Sequence, residues 1–317
     1  MAIAAPTSWA PGDAKGFLEN VQNLAPLLVD PADAPVYKET KKVKVTQVRY
    51  DWETDALPSI VIPTPLSIAD TAVPSTTLVR GRATNPVQRF TATYNISEAS
   101  QAIAAAGGIA GIDDEVMNEI RRQTTTLFAV IEHVILSEQA AVQDAGAGTP
   151  GKLGGFFNKV TTNMTDAGAV ALTTFVTEAL FRAKVRAIYQ SSSLGGELWC
   201  VCRPDFAEYV GITFNGRTNA RETVERSSRS VDSVVETYIA PVGGLVKISA
   251  DRSIGEGVAL INKNQIGVGE LIPFRAKPVG ATEHFQGTLE SYLTLYFGNE
   301  KAHGGWKNDN TPAAAGS

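Results

Sequence analysis

Cysteine is nearly absent from this 317-residue chain, which has two, Cys200 and Cys202. They stand two apart in the apolar run Leu198-Trp199-Cys200-Val201-Cys202, which predicts a strand with both thiols on one face. Neighbours on one strand make a poor disulfide. A metal site lacks partners, because His133, His284 and His303 are scattered and no second Cys/His pair stands at zinc spacing. Burial as small apolar residues is therefore expected for both cysteines. Long apolar runs are lacking too: no segment reaches the roughly 18 uninterrupted apolar residues of a membrane-spanning helix. The opening MAIAAPTSWAPGDAKG has neither a basic n-region nor an apolar h-region, so no secretory signal is expected and the protein is expected to work inside a cell. Positive charge is not in excess, the formal net charge being -5, which argues against a dedicated nucleic-acid binder.

Catalytic motifs are lacking as well. Gly107-Gly108-x-x-Gly111 is followed by Ile112-Asp113-Asp114 instead of the Lys-Ser/Thr of a P-loop, and two carboxylates would repel a phosphate. Asp113, Asp114, Glu115 and Glu119 have no EF-hand pattern around them and suit the positive end of a helix dipole. The serines near Gly195 do not form G-x-S-x-G, and nothing links His284 or His303 to a triad. Arg217, Arg221, Arg226 and Arg229 are interleaved with Glu222, Glu225 and Asp232, as in a loop of mixed charge. No catalytic residue, cofactor or metal is expected, and the chain is read as a non-enzyme.

What is present is architecture. Ten prolines, from Pro6 to Pro86, precede residue 90, out of 16 in the chain. Proline fixes φ, removes a ladder donor and pushes its predecessor to extended conformations, so this third of the chain predicts arms, loops and edge strands. One short helix is expected from Ala14 to Leu28, with Phe17, Val21, Leu24 and Leu28 at helical spacing. Lys41 to Trp52 alternates as one half-exposed strand. With Thr76–Arg82 and Val87–Ile96 it predicts a long β-hairpin that buries too little to stand alone.

After Gly111, Asp113 is placed to cap a helix running to about Asp144, roughly 45 Å long, with Val116, Ile120, Leu127, Ile131 and Val134 on one stripe. A second helix is expected at Thr174–Gln190 and a short one at Asp205–Gly211. Strands are expected at Leu198–Cys202, Val234–Ile239, Leu245–Ala250, Val258–Ile261, Ile266–Gly269 and Leu289–Phe297, and a loose tail from Gly304.

This succession resembles the major capsid proteins of tailed bacteriophages with the Hong Kong 97 type of fold, in the branch that carries a Trp-x-x-Asp-x-Leu segment. The wording lies in four stretches: VQNLAPLLVDPADAPVY; Tyr50-Asp51-Trp52-Glu53-Thr54-Asp55-Ala56-Leu57; Arg82-Ala83-Thr84-Asn85-Pro86-Val87-Gln88 running into Ile96-Ser97-Glu98-Ala99; and Lys152-Leu153-Gly154-Gly155-Phe156. Element order agrees over roughly residues 15 to 305.

The resemblance implies an α+β fold. Its parts would be an N-terminal arm at 1–45, an extended loop at 46–95, a peripheral domain at 96–155 with a spine helix at 113–144, an axial domain at 156–257, peripheral return strands at 258–305 and a flexible tail at 306–317. It implies a subunit that assembles with its own copies into the pentamers and hexamers of an icosahedral head. Double-stranded DNA would be enclosed by non-specific proximity, without a membrane. Assembly would take place in the host bacterial cytoplasm, with separate scaffolding, portal and decoration proteins as further partners. The large N-terminal scaffolding domain of some members is not expected.

The candidates for subunit interfaces are Arg80 and Arg82 on the returning side of the loop, meeting Asp113, Asp114 and Glu115 of a neighbour, together with Trp52 and Phe17. Three other readings stand beside this one: an encapsulin-like nanocompartment, a monomeric α/β hydrolase or transferase, and a phage tail or adhesin component.

Overall fold

The computed structural model describes residues 34–55, 80–106, 115–146, 148–191, 198–214, 237–239, 245–255, 257–279 and 284–308. The expected helix at 14–28, Phe17, Asp113, Asp114 and the arginine-rich loop lie outside these residues.

A six-stranded sheet divides two cores. Its order is β5 (Met164–Asp166), β12 (Gly304–Lys307), β9 (Gly257–Asn262), β6 (Leu198–Cys202), β8 (Leu245–Ala250) and β7 (Thr237–Ile239). Every residue of β6 is buried, and alternation sends Trp199 and Val201 into one core and Leu198, Cys200 and Cys202 into the other. The cysteines are thus free, buried and on one face, as their spacing predicts. On the second side lie α6 (Glu178–Ser191) and α7 (Pro204–Thr213), supplying Phe181, Val185, Ile188, Phe206 and Val210.

The first core lies between that sheet and a second, four-stranded one. This second sheet has the order β1 (Lys41–Lys44), β10 (Ile266–Val279), β11 (His284–Phe297) and β4 (Gln88–Ser97). Across it lies α3 (Glu115–Ile135), whose Leu127, Ile131 and Ile135 are buried. Its start is capped by Gln101 of α2 (Glu98–Ala105), whose side-chain oxygen accepts from the N–H groups of Glu115 and Val116 at 3.0 and 3.2 Å.

Several expectations need correction. The long helix ends at Ile135 instead of Asp144, making it 21 residues. Gly155 crosses its end so closely that a Cβ there would lie 2.2 Å from the carbonyl oxygen of Ser137 and 2.8 Å from that of Val134. The Phe157 N–H donates to the same Ser137 carbonyl at 3.2 Å, so the helix end is satisfied from 20 residues further along the chain.

The strand expected from Lys41 to Trp52 divides: β1 pairs in parallel with β10, while Arg49–Asp55 forms a separate strand, β2. Val87–Ile96 leaves the hairpin, because β4 pairs with β11. The helix expected at 174–190 is two, α5 (Leu172–Phe175) and α6, restarted where Thr177 caps Leu180 and Phe181. The boundary expected at 257/258 falls inside β9, which pairs with β6. The tail expected from Gly304, and again from 306, contains β12 and Trp306, which is 1% exposed.

His303, immediately before β12, is fully buried between Phe156 and Phe297. Its Nδ1 accepts from the Asn262 N–H at 3.3 Å, and its Nε2 faces the Gln265 carbonyl at 3.2 Å as donor. Burial pushes the imidazole down to about 4, against the Gln265 hydrogen bond and the Glu300 charge, which raise it. The folded state therefore binds its proton later than the unfolded chain does. The contribution is present above the ordinary pKa of 6.5 and is lost as pH falls toward about 4. It should be about 3 kcal/mol in full, and denaturant titrations across that window should show an acid limb that is flatter in His303→Gln. Equal limbs in the two proteins would mean that the imidazole titrates normally.

Candidate functional site

Among the described residues, a two-stranded ribbon stands apart from the two larger sheets. β2 (Arg49–Asp55) and β3 (Arg80–Pro86) pair antiparallel from Arg49↔Pro86 to Asp55↔Arg80, and neither is bonded to any other described strand. The composition explains the form. Arg49, Asp51, Glu53, Arg82 and Thr84 supply polar side chains, so one sheet face has no core to cover it.

The ribbon's polar face is bound together within the chain. Arg49 Nε donates to Asp51 and to Thr84 Oγ1 at 2.9 and 2.8 Å, and Arg82 Nη2 reaches the other Asp51 oxygen at 2.6 Å. The Thr84 hydroxyl, with Arg49 and Arg82, holds the Asp51 carboxyl below its usual range. Its other face is aromatic. Tyr50 and Trp52 stack at 5.9 Å, and both meet the edge of Tyr296 on β11, at 5.5 and 6.3 Å. Trp52 Nε1 is buried with no hydrogen-bond partner among the described residues.

The root of the ribbon is fixed by Asn85, which is 0% exposed. Its Nδ2 donates to the carbonyls of Gly154 and Leu295 at 3.1 and 2.7 Å, and its Oδ1 accepts from the Gly154 N–H at 2.7 Å. Beside it, Gln88 Oε1 accepts from the Leu153 N–H at 3.0 Å and from Gln139 Nε2 at 2.6 Å. The Lys159 ammonium donates to the Thr84 carbonyl at 3.0 Å. Two stretches far apart in sequence, 82–88 and 152–156, are thereby one site, and side-chain amides supply most of its bonds.

The sequence-predicted interface residues divide. Trp52 and Arg82 are both on the ribbon, but Arg82 is paired with Asp51 of its own chain, which weakens its role as the partner of a neighbour's helix. Arg80 opens β3 opposite Asp55. Glu115 stands at the start of α3 as expected. Asp113, Asp114 and Phe17 lie outside the described residues. The sequence gives no role to Asn85, Gln88 or Gln139, although the first two stand in the stretch that carries the resemblance. A polar residue directly before Pro86, where a strand ends, was the one available signal. Among the described residues no group of three His, Cys, Asp or Glu could hold a metal ion.

The comparisons with known proteins agree with this architecture. The family model described as SU10 major capsid protein matches residues 19–308. The capsid asymmetric unit of cyanophage A-1(L) has a TM-score of 0.61 at 11% identity, over 90% of this chain and 98% of that one. A structure from Mycobacterium phage Adephagia gives 0.57 at 10%, covering 96% and 99%. The capsid of a native GTA particle gives 0.58 at 16%, covering 89% and 91%. No curated protein matches. These identities show a shared fold, the capsid fold that the resemblance implied, and the family match favours a shell subunit over the nanocompartment and hydrolase or transferase readings. With the family's model spanning nearly the whole sequence, the chain belongs to the SU10 major capsid protein family and is a shell protein of a phage head.

Proposed function

We propose that this chain is the repeating subunit of an icosahedral head, arranged in pentamers and hexamers around double-stranded DNA and without enzymatic activity of its own. The observation that carries the reading is the ribbon: two strands with no third strand beside them among the described residues, a buried indole N–H and one aromatic face, too small to be stable without a partner. Copies of the same chain supply that partner. The axial region would centre on the six-stranded sheet and the peripheral region on α3 and the four-stranded sheet. Trp52, Glu115, Phe17, Arg80, Arg82, Asp113 and Asp114 remain the interface candidates, Arg82 keeping a largely exposed side chain beside Asp51. A net charge of -5 suits a wall that surrounds DNA without gripping it. Assembly would take place in the host cytoplasm, with scaffolding, portal and decoration proteins as further partners.

Electron microscopy of the purified protein tests this, alone and with its phage. Closed shells with five- and six-fold capsomers are expected, and a protein that stays monomeric at high concentration with or without a scaffold sinks the proposal. A chain beginning at Ala34 should keep its cooperative unfolding while shell yield falls severalfold. The cut belongs there because Ala34 and Val36 are 1% and 0% exposed and form part of the first core. Sedimentation separates shells from subunits, and unchanged yield would show that residues 1–33 take no part.

A further inference from the structure

Helices α6 and α7 cover the same side of the six-stranded sheet, but toward opposite ends of it. α6 packs on β12 and reaches the edge strand β5, where Lys184 Nζ donates to Thr165 Oγ1 at 2.6 Å. α7 packs on β8, three strands further along the order. Between α6, α5, β5 and β12 runs a groove of about 240 Å³, walled by Phe175, Leu180, Ala183, Ala187 and Trp306. Lys184 is the one charged residue in its wall, with its ammonium 5.4 Å from the Trp306 ring centroid. It pairs with no carboxylate of the described residues. Leu180, at the rim, is 43% exposed.

α7 carries the opposite shape and the opposite charge. Phe206 and Val210 point into the core, which leaves Glu208 and Ile212 one helical turn apart on the outer side, both exposed. Ile212 is 68% exposed, the highest value for a large apolar side chain among the described residues. Glu208 pairs with no cation of the described residues. A single exposed aliphatic residue needs no explanation by itself. Here it stands one turn from a free carboxylate, and the groove has the same spacing, with Lys184 one turn from Leu180 and from Ala187.

We propose that the occupant of this groove is α7 of a second copy of the chain, with Ile212 seated among Leu180, Ala183 and Ala187 and Glu208 meeting Lys184. The inference rests on the shell reading and adds to it the contact that closes a capsomer. Two different patches toward opposite ends of one sheet make a head-to-tail contact, and such a contact repeated about an axis closes into a ring. A two-fold contact would instead set each patch against itself, lysine on lysine and glutamate on glutamate. The ammonium has three N–H donors and gives one to Thr165, so it can hold a carboxylate without losing its place. Burial lowers the Lys184 pKa, and a carboxylate brought up to the ammonium offsets that cost.

Cross-linking of assembled shells tests the contact. Ile212→Cys is combined in turn with Leu180→Cys, Ala183→Cys and Ala187→Cys and treated with a short bis-maleimide, the native Cys200 and Cys202 being buried. At least one combination should give a ladder on a denaturing gel that climbs past the dimer, while each single variant stays monomeric. Shells without a ladder from any combination, a ladder that stops at the dimer, or links to a different protein overturn the docking and leave the shell reading standing. A wild type that forms no shells removes both. If the cysteine pairs do not assemble, Ile212→Asp decides. Shell yield should fall at least about tenfold, because docking would bury the new carboxylate in an apolar pit, while the melting temperature of the free subunit stays level. Wild-type yield, or a melting temperature that falls with the yield, overturns the proposal.

Discussion

Replacing Trp306 with alanine is expected to cost about 3–5 kcal/mol, which for a domain of ordinary stability is a third or more of the total. The indole is 1% exposed and stacks on Phe181 at 5.8 Å with the rings 15° apart, while the Lys184 ammonium lies 5.4 Å from its centroid. Its strand is bonded on both sides, in parallel to β5 and antiparallel to β9. A cavity there would open between α6 and β12, the second strand of the six-stranded sheet, where backbone pairing on both edges prevents collapse. Denaturant unfolding of Trp306→Ala against Trp306→Phe measures it: phenylalanine should recover a good part of the loss. A cost below about 1 kcal/mol for alanine would mean that these residues do not belong to the core.

Asn85→Leu should be nearly as damaging and should act on assembly as well. Leucine fills a similar volume but leaves the Gly154 N–H and the Gly154 and Leu295 carbonyls without their buried partner. Each group so abandoned costs about 1–3 kcal/mol, so a total of at least about 3 kcal/mol is expected. The damage falls at the root of the ribbon, so amides of β2 and β3 should lose protection before those of β6 and β9, and shell yield should fall further than stability alone predicts. Thermal unfolding, hydrogen exchange and sedimentation of the same preparations check the three parts. Shells and a melting temperature like those of the wild type would remove Asn85 from the account.

Much of this was legible where a pattern was local. The two-residue spacing of Cys200 and Cys202, the stripe from Val116 to Val134 and the strand expected at Leu289–Phe297 each depend on one element, and each describes the structure. Features set by distant residues were not legible. The end of α3 is set by Gly155 crossing it, and the pairing of Arg82 with Asp51 depends on a ribbon register that its residues leave open. β12 is four residues long amid glycine, so composition reads as tail, and only the presence of a tryptophan argued otherwise. Glu132 had a signal that went unused: a carboxylate between Ile131 and Ile135 on the buried face, with no cation three or four residues away, must find its partners elsewhere.

The place of β12 also constrains the order of events during synthesis. It is the last in sequence of the twelve described strands, yet it lies inside its sheet, between β5 and β9. A nascent chain that has emerged only as far as β11 has a gap there, with the β5 edge unpaired and Phe181 facing an empty slot. Because the ribosome delivers residues at about 5–20 per second, the ten residues from the end of β11 to the end of β12 keep that incomplete state for about 0.5–2 s. A shell protein gains from such delay, since a chain still attached to its ribosome cannot present the finished surface that its neighbours recognise.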